Sequence, residues 1–121
     1  MARSKADFLQ SRSDLLDQLR RLTYQPIMRG SLVERRRRCG KSGCACATDD
    51  DRQHRGQFFT VSLDGSTQAV HVRPEDEAHL REALDAYARL WDILDQLTRL
   101  EIAEIKRGAS ERRRAKRKLR R

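Results

Sequence analysis

The spacing of apolar residues changes along the chain and predicts its elements. Phe8, Leu15, Leu19 and Leu22 recur at helical spacing, with Leu9 and Leu16 widening the stripe, so residues 4–23 read as an amphipathic helix. Ser4 followed by Asp7 offers a cap with an acid in the first turn. Pro26 ends this segment, because proline disfavours helical geometry in the residue before it. From Ile27 to Arg38 the pattern predicts a strand, with Ile27, Met28, Leu32 and Val33 ahead of four consecutive arginines. Two β-prone runs, FFTVSL and STQAVHV, then flank Asp64-Gly65, which suits a two-residue type I′ hairpin turn. Pairing through that turn sets Leu63 opposite Ser66, Phe59 opposite Val70 and Val61 opposite Gln68. Phe59, Val61, Leu63, Val70 and Val72 then share the face assigned to the core. Phe58, Thr60, Thr67 and His71 take the other face, with Phe58 opposite His71.

Beyond Pro74 the period is helical again. Leu80, Leu84, Tyr87, Trp91 and Leu94 form one stripe, and Leu90, Ile93, Leu97 and Leu100 form another. Pro74 fits a first helical position, and Glu75, Asp76 and Glu77 sit where the helix dipole favours negative charge. The pattern predicts one long helix to about Arg107, ended by Gly108. So long a helix outruns a three-stranded sheet, and its second half needs the first helix, a second copy of the chain or a partner. Trp91 is expected to be at least partly buried. The fold class is α+β: an N-terminal helix, a three-stranded antiparallel sheet with a cysteine-rich knuckle, a long C-terminal helix and a disordered basic tail. Residues 1–107 make the single domain, with the knuckle at 39–54, and residues 108–121 make the tail.

Charge sharpens this outline. Charged residues are 37% of the 121, as many as the apolar ones, so core is scarce and a metal staple would help. Of 27 Lys/Arg and 18 Asp/Glu, ten and one fall in residues 106–121, which leaves 17 of each elsewhere. The body is formally neutral and the tail carries the whole excess of +9. No apolar run is long enough for a transmembrane helix or a signal-peptide core. Three cysteines without a secretion signal point to reduced thiols in the cytoplasm, where a nucleic-acid-binding chain could associate with the nucleoid.

The chemistry concentrates in CGKSGCACATDDDRQHRGQFF, residues 39–59. Cys39, Cys44, Cys46 and His54 offer three sulfurs and an imidazole within one loop, a ligand set that fills a closed structural zinc site. His71 is the fallback fourth ligand. The spacing is not the paired C-x2-C of common ribbons, and the other reading is ordinary thiols beside a surface histidine. Gly40-Lys41-Ser42 resembles the end of a phosphate-binding P-loop, but the leading glycine that motif needs is replaced by Arg35. Asp49, Asp50 and Asp51 invite a magnesium-nuclease reading, yet adjacent acids in a loop point apart and are solvated. No serine–histidine–acid or cysteine–histidine catalytic set is visible.

The run RRRRCGKSGCACA, then histidine, glycine and two aromatics, then a strand, Asp-Gly and a second strand, resembles an uncharacterised prokaryotic family catalogued as a domain of unknown function. That family's pattern is C-G-K-x-x-C-x-C-A followed by H-G-P-Y-Y. Cys39, Gly40, Lys41, Cys44, Cys46 and Ala47 match it residue for residue. His54, Gly56, Phe58 and Phe59 match with changes, since Arg55 is inserted, Gln57 replaces proline and phenylalanine replaces tyrosine. The resemblance covers roughly residues 27–100. It implies a fold and, through the family's frequent neighbourhood, a link to mobile elements; it implies no activity.

These features lead to a small zinc-stapled nucleic-acid-binding protein, an accessory factor of a mobile element and not an enzyme. Arg112, Arg113, Arg114, Lys116, Arg117, Lys118, Arg120 and Arg121 would supply phosphate affinity. Arg35, Arg36, Arg37, Arg38 and Lys41 would orient the body, with two of the four strand arginines on each face. Phe58 beside basic groups could stack on a base; the plainer reading is a cross-strand pair. The expected partner is DNA or RNA, with no membrane. The alternative is a protein-interaction or oligomerisation module that docks a partner or a second copy through residues 80–105. A third reading, a thiol redox sensor with a cysteine activated by Lys41 and the arginines, lacks a second functional group.

Overall fold

A computed structural model describes residues 4–120. Its elements are α1 (Lys5–Leu22), β1 (Ser31–Arg37), β2 (His54–Leu63), β3 (Ser66–Val72) and α2 (Glu77–Arg120), with short 3-10 turns at Ala45–Ala47, Asp50–Arg52 and Pro74–Asp76. The chain divides into two compact units, one made of Met1–Pro26 with Ala86–Arg121 and the other of Ile27–Asp85. The architecture is the expected α+β, with a three-stranded antiparallel sheet.

In the helical unit, Ser4 Oγ accepts a 3.1 Å hydrogen bond from the Asp7 backbone N–H and caps α1. Phe8, Leu15 and Leu22 are buried along it. Leu15 and Leu22 cluster with Ala86 and Ile93 of α2, flanked by Leu19, Leu90, Leu97 and Leu100. Lys5 pairs with Glu104 at 3.3 Å and Arg12 with Glu101 at 3.8 Å, so the start of α1 lies beside the later turns of α2. The two helices therefore run antiparallel.

The buried line of α2 passes through Leu80, Ala83, Ala86 and Ile93, and both alanines are fully buried. Alanine has no bulk beyond Cβ and lets neighbouring backbones approach closely. Leu80 and Leu84 of the large-residue stripe pack into the cluster beneath the sheet, but farther along Trp91 is 53% exposed and meets Tyr87 edge-on at 6.2 Å.

The helix also does not stop at Gly108; it continues to Arg120. Arg107 donates to Glu104 at 2.7 and 2.9 Å and to Glu111 at 2.6 Å, bridging one turn on either side of the glycine. A glycine costs about 1 kcal/mol against alanine inside a helix, and flanking ion pairs return about 0.2–0.5 kcal/mol each. The residues that follow are mostly alanine, arginine and lysine, all good helix formers. The basic segment is thus helical, not disordered; Arg121 lies outside the described residues.

In the other unit the strand order is β1-β2-β3, both pairs antiparallel. Asp64 and Gly65 both have positive φ, 52° and 79°, as a type I′ turn requires. The register is the predicted one, with Leu63 opposite Ser66, Val61 opposite Gln68 and Phe59 opposite Val70. Phe59 and Val72 are buried with Leu80, beside Met28, Leu32, Val61 and Leu84. The core covers less of that face than expected, because Val70 is 53% and Leu63 43% exposed. Both lie outside that cluster, Val70 on the edge strand β3 and Leu63 at the hairpin tip. Gly30 (φ +146°) brings the chain into β1 against Phe59; a Cβ there would fall 2.5 Å from the Phe59 ring.

Candidate metal centre

The loop between β1 and β2 folds back on itself through two short turns. Gly40 takes φ +82° as the chain leaves β1, a conformation that glycine adopts without strain. The Cys44 N–H donates to the Lys41 carbonyl at 3.2 Å and the Ala47 N–H to the Cys44 carbonyl at 3.0 Å. Asp49 accepts from the Asp51 N–H at 3.0 Å and caps the second turn. Asp50 accepts from Arg38 at 2.5 Å and ties the loop to the end of β1. Two of the three aspartates are thus committed to holding the loop.

These turns bring four donors together. The Cys39, Cys44 and Cys46 sulfurs and a ring nitrogen of His54 all lie within 4.8 Å of one another. Cys39 Sγ is 3.5 Å from Cys46 Sγ, and Cys44 Sγ is 3.3 Å from His54 Nε2. A tetrahedron with metal–sulfur bonds of about 2.3 Å has sulfur–sulfur edges of about 3.8 Å, so the four atoms stand near the corners that one ion requires. The sulfurs are too far apart for a disulfide, whose bond is about 2.05 Å, and all three thiols are free. Cys46 is fully buried, while Cys39 and His54 are exposed.

The three thiols perturb one another. The Cys46 backbone N–H, then the Cys46 and Cys39 side chains, hydrogen-bond to the Cys44 thiol and lower its pKa. Cys46 accepts from the Cys39 backbone N–H at 3.4 Å, which favours its thiolate, but burial and the neighbouring sulfurs outweigh this and its pKa is raised. Three thiolates this close would repel one another, and the charge of a bound dication would offset that repulsion and keep the coordinated thiols deprotonated. Four protein donors on one ion would leave no open position for substrate, the arrangement of a structural site and not a catalytic one.

His71, the fallback ligand, packs instead against Phe58 with ring centroids 5.3 Å apart. The four arginines do not act as one patch. Arg35 and Arg37 lie over the Phe58 ring at 5.9 and 5.5 Å. Arg36 stands opposite Arg55 on the other face, and Arg38 is held by Asp50. Lys41 is an exposed loop residue. Arg112, Arg113, Arg114, Lys116, Arg117, Lys118 and Arg120 are exposed on the last turns of α2. The Arg38–Asp50 pair joins residues twelve apart across a loop, and strand alternation gives no signal for it.

The family described as Domain of unknown function (DUF6788) matches residues 5–82, which takes in α1, the whole sheet, the knuckle and the first turns of α2. No curated protein and no solved structure matches the chain.

Proposed function

The chain belongs to the DUF6788 family, and we propose that it is a small zinc-stapled protein that binds nucleic acid. The observation that carries this reading is the end of α2. Residues 106–121 hold the entire net charge of +9, and every side chain from Glu111 to Arg120 is exposed. A helix dense in cations meets a polyanion with release of condensed counterions, which gives affinity without sequence preference. Zinc is the metal that a Cys3His set with no open position suits best, and its part here is to hold the β1–β2 loop. Arg35 and Arg37 would contact the same polymer from the body.

Fluorescence-anisotropy titrations at low salt test the reading, with the intact chain against duplex DNA, single-stranded DNA and structured RNA. Binding to at least one is expected. Absence of binding to all of them overturns it.

One observation favours a second role. Trp91, Leu94, Ile102 and Ile105 are 40–66% exposed along α2. Such a stripe is a docking surface for another helix, and sedimentation of the intact chain over a concentration series would show whether it self-associates.

A further inference from the structure

The sheet has two unlike faces. Phe59, Val72 and Leu32 turn toward the cluster with Leu80. The other face, set by alternation and by the observed register, carries Val33, Arg35 and Arg37 on β1 and Gly56, Phe58 and Thr60 on β2, with His71 on β3. No acidic residue lies on this face in any strand. Within this unit the apolar cluster lies entirely on the opposite side, and Arg35, Arg37 and His71 are exposed.

At its centre Phe58 is half-buried beneath the two guanidiniums, with His71 set against its edge at an interplanar angle of 68°. Gly56, directly across from Arg35, places no side chain beside this pair. A Cβ at Gly56 would come within 3.4 Å of both the Phe58 ring and His71 Nε2.

We propose that this outer face is a stacking platform for an unpaired nucleobase, and that the occupant is a single-stranded stretch of nucleic acid. The inference rests on the nucleic-acid reading given above and specifies the form of the polymer. A base laid on Phe58 meets a flat apolar ring, and Arg35 and Arg37 bring cations to the phosphates on either side. The complementarity is one of charge as well as shape, because an acid-free face with two arginines suits a polyanion. Van der Waals contact on both sides of a base needs about 7 Å between ring and guanidinium. The arginines therefore swing outward by roughly 1–2 Å, which long exposed side chains do freely. Duplex DNA keeps its bases stacked internally and cannot use the ring, so the platform separates single strands from duplex.

The test compares Phe58→Leu with the intact zinc-loaded chain, using a short single-stranded DNA and the same sequence as a duplex. Loss of one stacked base lowers single-strand affinity by about tenfold or more, while duplex affinity stays within about twofold. Photocrosslinking of the intact chain to a single strand bearing 5-iodouracil should label a peptide containing Phe58 or His71. Gly56→Val, which fills the space beside the ring without touching the core, should also lower single-strand binding selectively; it keeps the test decisive if Phe58→Leu does not fold. Equal losses on single strand and duplex, no loss on either, or crosslinks confined to the end of α2 would overturn the platform while leaving the broader nucleic-acid reading intact. If the intact chain binds no nucleic acid, that broader reading fails, and the platform with it.

Discussion

Because the basic end of α2 is a helix, its cations are not interchangeable, and salt dependence can show it. At 3.6 residues per turn, Lys106, Arg113, Lys116, Arg117 and Arg120 fall within roughly a third of the circumference of α2, whereas Arg114 and Lys118 point the other way. A duplex lying along one side therefore meets about five cations, and log K should fall with log salt at a slope of about −4 to −5. A fourfold rise in salt then weakens binding by about 500-fold. The double variant Arg113→Gln, Arg117→Gln should make the slope shallower by about 1.8; Arg114→Gln, Lys118→Gln should leave it almost unchanged. Truncation after Gly108 keeps only Lys106 of the five and should leave a slope near −1, with both apolar clusters retained because they end at Leu100. Anisotropy titrations at a series of salt concentrations supply all four slopes. Equal effects from the two double variants would refute the helical argument and make the segment a flexible cation run. A slope unaffected by truncation would move the phosphate contacts to the body.

Three further outcomes follow from the packing and the ligand set. Native mass spectrometry should find one zinc per chain, and chelation should loosen the knuckle and lower the melting temperature without unfolding the helices; a metal-free reduced protein indifferent to chelator would remove the site. Gly30→Ala places a Cβ 2.5 Å from Phe59 and 2.7 Å from the Thr60 carbonyl at φ +146°. Backbone strain of about 1–3 kcal/mol and overpacking of about 1–3 kcal/mol should together lower stability by about 2–6 kcal/mol in urea unfolding. Hydrogen bonding from Arg107, helped by Lys5, holds the Glu104 carboxyl down at about 2, against an ordinary value of 4.5. Its contribution is complete above the unfolded value and is lost as pH falls from about 4.5 to about 2. Helicity followed by circular dichroism over that range should decline in the native chain and change less in Glu104→Gln.

The elements that the sequence foretold well are those in which side-chain period and turn chemistry agree. Asp64-Gly65 set the hairpin, and one turn of the right type fixed the register of seven residue pairs. The gathering of Cys39, Cys44 and Cys46 was legible because three thiols in eight residues of so polar a chain need an explanation. His54 was harder to place, since its distance from the sulfurs depends on how the Asp49–Gln53 segment turns. The long helix itself was legible, but two of its features were not. Large apolar residues suggested that Trp91 faces inward, but buried Ala83 and Ala86 set the packed face, and alanine gives little hydrophobic signal. Gly108 read as a stop because a local rule sees the glycine and not Arg107 joining Glu104 to Glu111 across it.

The position of His54 links the metal centre to the outer sheet face. It is the first residue of β2 and stands opposite Arg37, the last residue of β1. Without an ion, the open end of this strand pair is closed only by a sixteen-residue loop, Arg38–Gln53, whose ordering must be offset by the pairing itself. The Arg38–Asp50 contact is exposed and contributes at most about 1 kcal/mol. An ion bound by Cys39 just after β1 and by His54 at the start of β2 clamps the two strands where the ladder would fray first. Arg35 and Arg37 are then held in register with Gly56 and His54, which keeps both guanidiniums over Phe58. The metal takes no part in chemistry on this account. Such an ion would help to hold the geometry of this surface in a chain poor in apolar residues.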